Sequence, residues 1–177
     1  MRLIVNGVER EVSLPPLETL LHALREELGV TSPKAGCQEG GCGACTVLVD
    51  GEPRRACLLP VAAAEGAEVT TVEGLGAPGD LSPVQAAFHE QYGAQCGFCT
   101  PGFVMATAAL LERNPSPSRE EILDGLAGHV CRCTGYVKIV AAVEAAARGD
   151  VSEDARTAGA TGRSRSEPEV VVAGSPA

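Results

Sequence analysis

Residues 37–57 read CQEGGCGACTVLVDGEPRRAC and contain four of the eight cysteines of the chain. Their spacing, C-x4-C-x2-C-x11-C, is the plant-type arrangement of ligands for a [2Fe–2S] cluster. The interleaved glycines allow backbone N–H groups to approach sulfur atoms that carry negative charge. The stretch therefore predicts an iron–sulfur centre whose ligands are Cys37, Cys42, Cys45 and Cys57.

The other four cysteines form a second group with the spacing C-x2-C-x31-C-x-C. Four thiolates are what one [2Fe–2S] cluster requires, so this group predicts a second cluster. No cysteine is left over, and a chain that uses every cysteine in this way is expected to transfer electrons. The predicted ligands of the second cluster are Cys96, Cys99, Cys131 and Cys133.

Other uses of the cysteines are less consistent with the sequence. Four disulfides would suit a secreted chain, but the N-terminus MRLIVNGVEREV has neither a long apolar run nor a signal cleavage site. Structural zinc is the stronger competitor because C-x2-C pairs bind zinc. Consecutive x4 and x2 spacings in glycine-rich sequence and the final C-x-C favour iron. A thioredoxin-like site lacks its βαβ context, and no histidine has the spacing of a Rieske ligand.

Composition limits the remaining functions. The chain has 177 residues, of which 45% are hydrophobic and only 3% aromatic, and every aromatic residue lies between residues 88 and 136. The N-terminal core must therefore be aliphatic. A net charge of −9 without a basic stripe makes nucleic-acid binding unexpected. No apolar stretch approaches the length of a membrane span, so we expect a soluble, cytoplasmic protein.

The N-terminal half predicts a small α+β fold. Asn6-Gly7 and Asp50-Gly51 each supply the two positive φ angles of a type I′ hairpin turn. The expected elements are a hairpin over 3–12, a helix over 17–28, a hairpin over 46–58 whose return strand carries Cys57, and a strand over 69–72. This order indicates a β-grasp domain of the plant-type ferredoxin kind over residues 1–74.

The C-terminal half predicts helices. Ser82-Pro83 and the capping box at Ser118 are helix-start signals, and the expected helices cover 83–93, 101–113, 118–126 and 136–148. The cysteine pairs of the second group precede two of these helices, whose N-termini favour negative charge. We predict a four-helix bundle domain over residues 75–149, followed by a flexible tail over 150–177.

Three stretches together resemble one known family. They are GCQEGGCGACTVLVDG at 36–51, QCGFCTPG at 95–102 and CRCTGY at 131–136. They are similar to the small iron–sulfur subunit of the molybdenum hydroxylases, the xanthine dehydrogenase and aldehyde oxidoreductase family. The resemblance covers residues 1 to about 148. The chain departs from the family pattern at His129, where many relatives carry Asn.

The resemblance implies a function, cofactors and partners. In this family the N-terminal domain and the helical domain each hold one [2Fe–2S] cluster, and the helical-domain cluster lies nearest the molybdenum cofactor. The implied partners are a molybdopterin-binding large subunit and an FAD-binding medium subunit, assembled as a dimer of heterotrimers. Electrons would pass from molybdenum through both clusters to FAD, in a dehydrogenase of xanthine, other N-heterocycles or aldehydes. The chain would have no substrate site of its own.

The resemblance also implies roles for single residues. Gln95 matches a glutamine beside the pterin, and Cys133 matches the ligand that contacts the pterin amino group. Both should then lie in a buried, largely apolar contact with the large subunit. Phe98 and Phe103 flank the same cysteines and are candidates to shield the second cluster from water, although Phe103 could instead pack between helices. A stand-alone two-cluster ferredoxin or a structural zinc module remains the alternative.

Overall fold

A mixed five-stranded sheet is followed by a helical domain in the structure, a computed structural model that describes residues 1–159. The strand order is β2-β1-β5-β3-β4, in which β1 and β5 are parallel and all other pairs are antiparallel. The strands are β1 Arg2–Val5, β2 Val8–Glu11, β3 Thr46–Val49, β4 Glu52–Arg55 and β5 Glu68–Thr70.

Both predicted hairpins are present. Asn6 and Gly7 have φ angles of 51° and 76°, and Asp50 and Gly51 have φ angles of 51° and 79°, as a type I′ turn requires. The second hairpin differs from the expectation in one respect. Strand β4 ends at Arg55 because a turn follows. In this turn the N–H of Leu58 donates a hydrogen bond to the carbonyl of Arg55 at 2.9 Å. Cys57 therefore lies in a turn and not in the strand.

The helix that packs on the sheet is shorter than predicted. Helix α1 spans Leu20–His22 and continues as a π-helical segment over Ala23–Glu27. It begins at Leu20 because the Thr19 hydroxyl accepts a hydrogen bond from the N–H of His22 at 3.2 Å, an N-cap that follows Pro15-Pro16. Leu17 stays outside and is 85% exposed. The core between helix and sheet is aliphatic, as expected, and is formed by Leu3, Val5, Val12, Leu20, Leu21, Leu24, Val47, Val61 and Val69.

A short connection joins the sheet to the helical domain. Strand β5 ends at Thr70, earlier than predicted, because the N–H of Thr71 donates to Asn6 Oδ1 at 2.8 Å and not to a neighbouring strand. A 3₁₀-helical turn, Val61–Ala64, precedes β5, and α2, Val72–Leu75, follows it. The boundary after residue 74 falls within α2 and stays a prediction.

The helical domain contains the four expected helices. They are α3 Pro83–Glu90, α4 Thr100–Arg113, α5 Arg119–Gly125 and α6 Val137–Arg148. Both α3 and α5 begin with complete capping boxes, Ser82 with Gln85 and Ser118 with Glu121. Phe103 is fully buried at the centre of the core of this domain.

The tail expected from residue 150 does not begin there. Helix α7, Glu153–Arg156, packs against α3, and its Ala155 is buried. The carbonyl of Arg156 accepts a hydrogen bond from the N–H of Leu81 at 2.8 Å. Residues 150–159 are therefore part of the helical domain, because they satisfy backbone groups of the loop before α3. The rest of the predicted tail lies outside the described residues.

Helix α4 joins the two domains by packing on β3 and β4. The backbones touch at two glycines: a Cβ atom on Gly102 would lie 2.2 Å from the carbonyl oxygen of Gly43. Any larger residue would separate the first turn of α4 from the loop that contains Cys42 and Cys45. Within residues 1–159 no helix is long and apolar enough to cross a membrane.

Candidate metal centres

The first cysteine group is brought together by the loop before β3 and the turn after β4. Cys45 immediately precedes β3 and Cys57 follows β4, so the hairpin places these two residues side by side. Both are buried, whereas Cys37 and Cys42 are half-buried in the glycine-rich loop. None of the eight cysteines forms a disulfide. We call this group the first centre.

Backbone N–H groups act on the first centre in the way that the glycine-rich sequence predicts. The N–H groups of Glu39 and Cys42 each donate to Cys37 Sγ at 3.4 Å, and they lower the pKa of the Cys37 thiol to about 7. Burial, with Cys57 next to it, raises the pKa of Cys45 to about 11. One thiol is thus readily ionised, while the buried thiol loses its proton only when a cation replaces it.

Phe98 lies beside the first cysteine loop, although the sequence suggested that it shields the second centre. A Cβ atom on Gly36 would lie 2.9 Å from Cys42 Sγ and 3.3 Å from Phe98 Cε1. The ring of Phe98 therefore lies over the first cysteine loop. Phe103 packs inside the helical domain, with its ring centroid 5.3 Å from that of His129. Of the two expectations for Phe103, the structure supports packing between helices and not shielding of the second cluster.

The second centre lies between the loops that precede α4 and α6. Cys99 is the N-cap of α4, as predicted. Cys131 and Cys133 were expected at the start of α6, but they lie in a turn several residues before it. The turn continues to Tyr136, which has a φ angle of 68° and accepts a hydrogen bond from the N–H of Cys131 on its hydroxyl at 3.1 Å. Cys96 Sγ lies 3.6 Å from Cys133 Sγ.

The thiols of the second centre differ in pKa in the same way. Burial opposes ionisation of Cys131, but the hydroxyl and N–H of Thr134, at 3.1 and 3.4 Å from Cys131 Sγ, lower its pKa to about 7. Burial, with Cys131 beside it, raises the pKa of Cys99 to about 12. Each centre again combines a readily ionised thiol with a buried thiol.

The sulfur atoms suit clusters of two irons. They stand in neighbouring pairs, two pairs in each centre: Cys37 with Cys42, Cys45 with Cys57, Cys96 with Cys133, and Cys99 with Cys131. A bridged iron pair takes two thiolates on each iron.

A buried hydroxyl at the second centre agrees with this fit. Thr100 Oγ1 is buried beside Cys99 and has no hydrogen-bond partner in the described part of the chain. A buried hydroxyl without a partner costs free energy, and a cluster sulfur would supply the acceptor. The residues present therefore fit a [2Fe–2S] cluster at both centres.

One hydrogen bond connects the two centres. The N–H of Val130 donates to the carbonyl oxygen of Cys42 at 3.0 Å. Val130 adjoins Cys131 in the chain, so a predicted ligand of the first centre is one hydrogen bond and one peptide away from a predicted ligand of the second. Cysteine spacing gave no sign of this contact, because it depends on how the two domains pack.

His129 lies in the same contact and has a defined tautomer. Its Nδ1 faces the carbonyl oxygen of Leu126 at 3.2 Å and must carry the proton. Its Nε2 then accepts from Arg55 Nη1 at 3.1 Å. Burial, and then the positive charge of Arg55, lower the pKa of His129 to about 4. The sequence singled out His129 only as a departure from the family.

Gln95 lies on the outer side of the second centre. Its side chain is exposed, as are Cys96 and Cys133. The described residues of this chain therefore leave Gln95 and these two thiols open to a partner, while Cys131 is buried.

Comparisons with known proteins agree with both centres. The family model of the 2Fe-2S iron-sulfur cluster binding domain matches residues 3–71, and that of the [2Fe-2S] binding domain matches residues 71–144. The nicotine 6-hydroxylase small subunit of Paenarthrobacter nicotinovorans is 50% identical over 139 residues, which cover 78% of this chain and 84% of the relative. The chain belongs to the small iron–sulfur subunits of the molybdenum hydroxylases.

Further relatives of this small subunit support the assignment. The nicotinate dehydrogenase small FeS subunit of Eubacterium barkeri is 45% identical, covering 81% of this chain and 91% of the relative. The crystal structure of quinoline 2-oxidoreductase from Pseudomonas putida 86 matches with a TM-score of 0.76 and 43% identity, over 85% of this chain and 98% of that chain. The aldehyde oxidoreductase of Desulfovibrio desulfuricans matches with a TM-score of 0.82 and 47% identity, over 89% of this chain and 18% of that chain. The predicted fold class, family and two [2Fe–2S] cofactors are confirmed.

We expect the His129→Asn variant to lose part of the pH dependence of stability. The folded-state pKa of His129 lies below its unfolded value, so its contribution is fully present above about pH 6.5 and is lost as pH falls towards about pH 4. Each pKa unit corresponds to about 1.4 kcal/mol. Thermal unfolding of the iron-loaded chain between about pH 7 and about pH 5 should therefore show a steeper fall for the wild type than for His129→Asn.

The matched control is His89→Asn, which changes an exposed histidine of α3 in the same way. It should keep the wild-type pH dependence. Equal slopes for wild type and His129→Asn would contradict the buried neutral imidazole.

Proposed function

We propose that this chain carries electrons singly from a molybdopterin-binding large subunit, through its helical domain and then its ferredoxin-like domain, to the FAD of a medium subunit. The observation that supports this most directly is the contact between the centres, in which the N–H of Val130 bonds the carbonyl of Cys42. Two centres that touch through backbone can pass an electron inside one chain. A chain with two independent structural metal sites has no need of such a contact.

The proposed ligands are the four cysteines of each centre. When bound, each cluster accepts and releases one electron. The chain supplies everything else. N–H groups of Glu39, Cys42 and Thr134 point at thiol sulfurs and so stabilise negative charge there. Phe98 lies beside the first loop, next to Gly36.

The direction of transfer rests on exposure. The outer side of the second centre presents Gln95, Cys96 and Cys133, and by family resemblance Gln95 and Cys133 face the pterin of the large subunit. Val130 and Val137 are exposed apolar residues close to the same cysteines, as expected for a surface that a partner covers. The first centre would then face the FAD subunit.

The proposed assembly is a dimer of heterotrimers made of this chain, the large subunit and the FAD-binding medium subunit. The relatives named as small subunits support the existence of larger partners. We also propose a cytoplasmic location, because eight cysteines without a disulfide agree with a reducing compartment.

The ligand assignment predicts that the Cys42→Ser variant loses one cluster and keeps the other. No ligand is shared between the centres, so iron should fall from about four to about two atoms per chain. One of two [2Fe–2S] signals in the electron paramagnetic resonance (EPR) spectrum should disappear. In the assembled complex, substrate should still reduce the second centre, but FAD reduction should stop. Cys133→Ser is the reciprocal control and should remove the other signal. Loss of both signals from a folded Cys42→Ser chain, or stoichiometric zinc in the wild type, would overturn the assignment.

The proposed position of Gln95 predicts a defect without cluster loss. Gln95→Ala should remove about one hydrogen bond to the pterin, worth about 1 kcal/mol, and slow reduction of the second centre about 2- to 10-fold. Rapid-mixing kinetics and pterin content of the complex measure this, and iron content should stay at the wild-type value. Gln91→Ala, at the C-cap of α3, is the matched control. Gln95→Ala with unaltered kinetics and pterin content would exclude this role.

For the substrate class we propose an aromatic N-heterocycle. The support is that relatives named for nicotine, nicotinate and quinoline match this chain over most of their own length. The chain, tagged and purified with its partners, should bring a large subunit whose complex oxidises pyridine- or quinoline-type substrates faster than aromatic aldehydes. The reverse preference would assign an aldehyde oxidoreductase. Purification of the tagged chain without any partner would favour the stand-alone ferredoxin.

A further inference from the structure

The guanidinium of Arg55 lies between the two cysteine loops. Arg55 is the last residue of β4, two positions before Cys57. Its Nε donates to the carbonyl of Gly40 at 3.3 Å, in the first loop, and its Nη2 donates to the carbonyl of Gly128 at 2.9 Å, just before the second loop. One planar side chain thus bonds the backbones of both loops.

The remaining bonds of Arg55 have unambiguous directions. The Thr46 hydroxyl donates to the carbonyl of Gly43 at 2.7 Å, so its oxygen accepts from Arg55 Nη1. His129 is protonated on Nδ1, so its Nε2 also accepts from Arg55 Nη1, at 3.1 Å. The guanidinium is therefore a donor at every contact, in a fork geometry that lysine cannot reproduce.

The backbone around the guanidinium leaves no room for other side chains. A Cβ atom on Gly43 would lie 2.5 Å from His129 Cδ2 and 2.9 Å from the carbonyl oxygen of Gly128. A Cβ atom on Gly128 would lie 3.0 Å from Arg55 Nη2. Both glycines also have positive φ angles, which disfavour larger residues. The two loops therefore approach each other closely at this point, and Arg55 bonds the backbones of both.

The charge of Arg55 is not paired with a carboxylate. The salt bridges among residues 1–159 involve other cations, and every bond of Arg55 ends on a neutral oxygen or nitrogen. Reduction adds one negative charge to a [2Fe–2S] cluster. A nearby unpaired cation therefore stabilises the reduced form relative to the oxidised form.

We propose that Arg55 is a positioning residue for electron transfer between the two centres, holding the two cysteine loops in register and raising the reduction potentials of both clusters. This inference rests on the proposed electron-transfer function. The register matters because the Val130–Cys42 hydrogen bond exists only while the two loops stay together. The charge matters because it acts on both loops from a shared position.

The test uses three variants in the purified complex. Arg55→Gln removes the charge and the fork, and Arg55→Lys keeps the charge and removes the fork. Arg54→Gln removes the same charge from the neighbouring residue of β4, which is exposed and points to the opposite face of the sheet. Iron content, EPR-monitored redox titrations and the spin–spin interaction between the two reduced clusters are measured for each variant.

Arg55→Gln should lower the ratio of reduced to oxidised cluster at a fixed potential about 3- to 10-fold for both centres. Arg54→Gln should change this ratio less than about twofold, because an exposed charge is screened by water and salt. Arg55→Lys should keep both potentials near the wild-type values. It should nevertheless weaken the spin–spin interaction and slow reduction of the first centre by the second.

Two results would overturn the proposal. One is an Arg55→Gln complex whose potentials and spin–spin interaction equal those of Arg54→Gln. The other is an Arg55→Lys complex with wild-type interaction and transfer rate, which decides the matter even if Arg55→Gln fails to retain iron. Failure of the proposed function itself is distinguishable, since substrate would then fail to reduce the two clusters of the wild type, whatever their potentials and spin–spin interaction.

Discussion

The close approach of two backbones, at Gly43 in the first cysteine loop and at Gly102 in the first turn of α4, is the constraint on which the arrangement of the centres depends. Because neither residue has a side chain, α4 can lie directly on β3, and the first turn of α4, which follows Cys99, contacts the loop that carries Cys42. The Val130–Cys42 hydrogen bond, the Arg55 bonds and the burial of His129 all require this spacing. A larger residue at either glycine would separate the centres before it changed any ligand.

Within each centre, hydrogen bonding and burial act on different thiols. Cys37 and Cys131 accept hydrogen bonds that favour the thiolate, whereas burial keeps Cys45 and Cys99 protonated until a metal replaces the proton. Since sulfur ligands bind iron as thiolates, loading each centre releases protons from buried positions. Cluster binding should therefore contribute to the stability of both domains, each of which has a core of modest size.

The polar network defines the role of residue 129, whose imidazole donates to the carbonyl of Leu126 and accepts from Arg55. In this chain the imidazole also packs against Phe103, so the aromatic core of the helical domain reaches the domain contact. This packing holds the neutral form of His129 in place, and with it the acceptor that faces Arg55.

Local sequence determined the turns and helix starts, because these depend on interactions between residues close together in the chain. Asn6-Gly7 and Asp50-Gly51 specify hairpins because two adjacent residues must adopt positive φ, and Ser82 and Ser118 specify helix starts because their side chains cap the nearby N–H groups. The cysteine spacings indicated both centres for the same reason: the ligands within a loop are near neighbours in the chain. Contacts between distant residues could not be predicted in this way. Leu17 fits the helical period but is excluded by the Thr19 cap, and residues 150–159 lack periodicity yet pack on α3.

The sequence by itself therefore determined the cysteine groups, the family, the fold class and the two cofactors, because each depends on residue types at short spacing. Only the tertiary structure decided that Phe98 lies beside the first cysteine loop, that His129 is neutral and that Arg55 bonds both cysteine loops. Those facts join residues as far apart as 55 and 129. Their proximity results from the packing of α4 on β3, which no local pattern encodes.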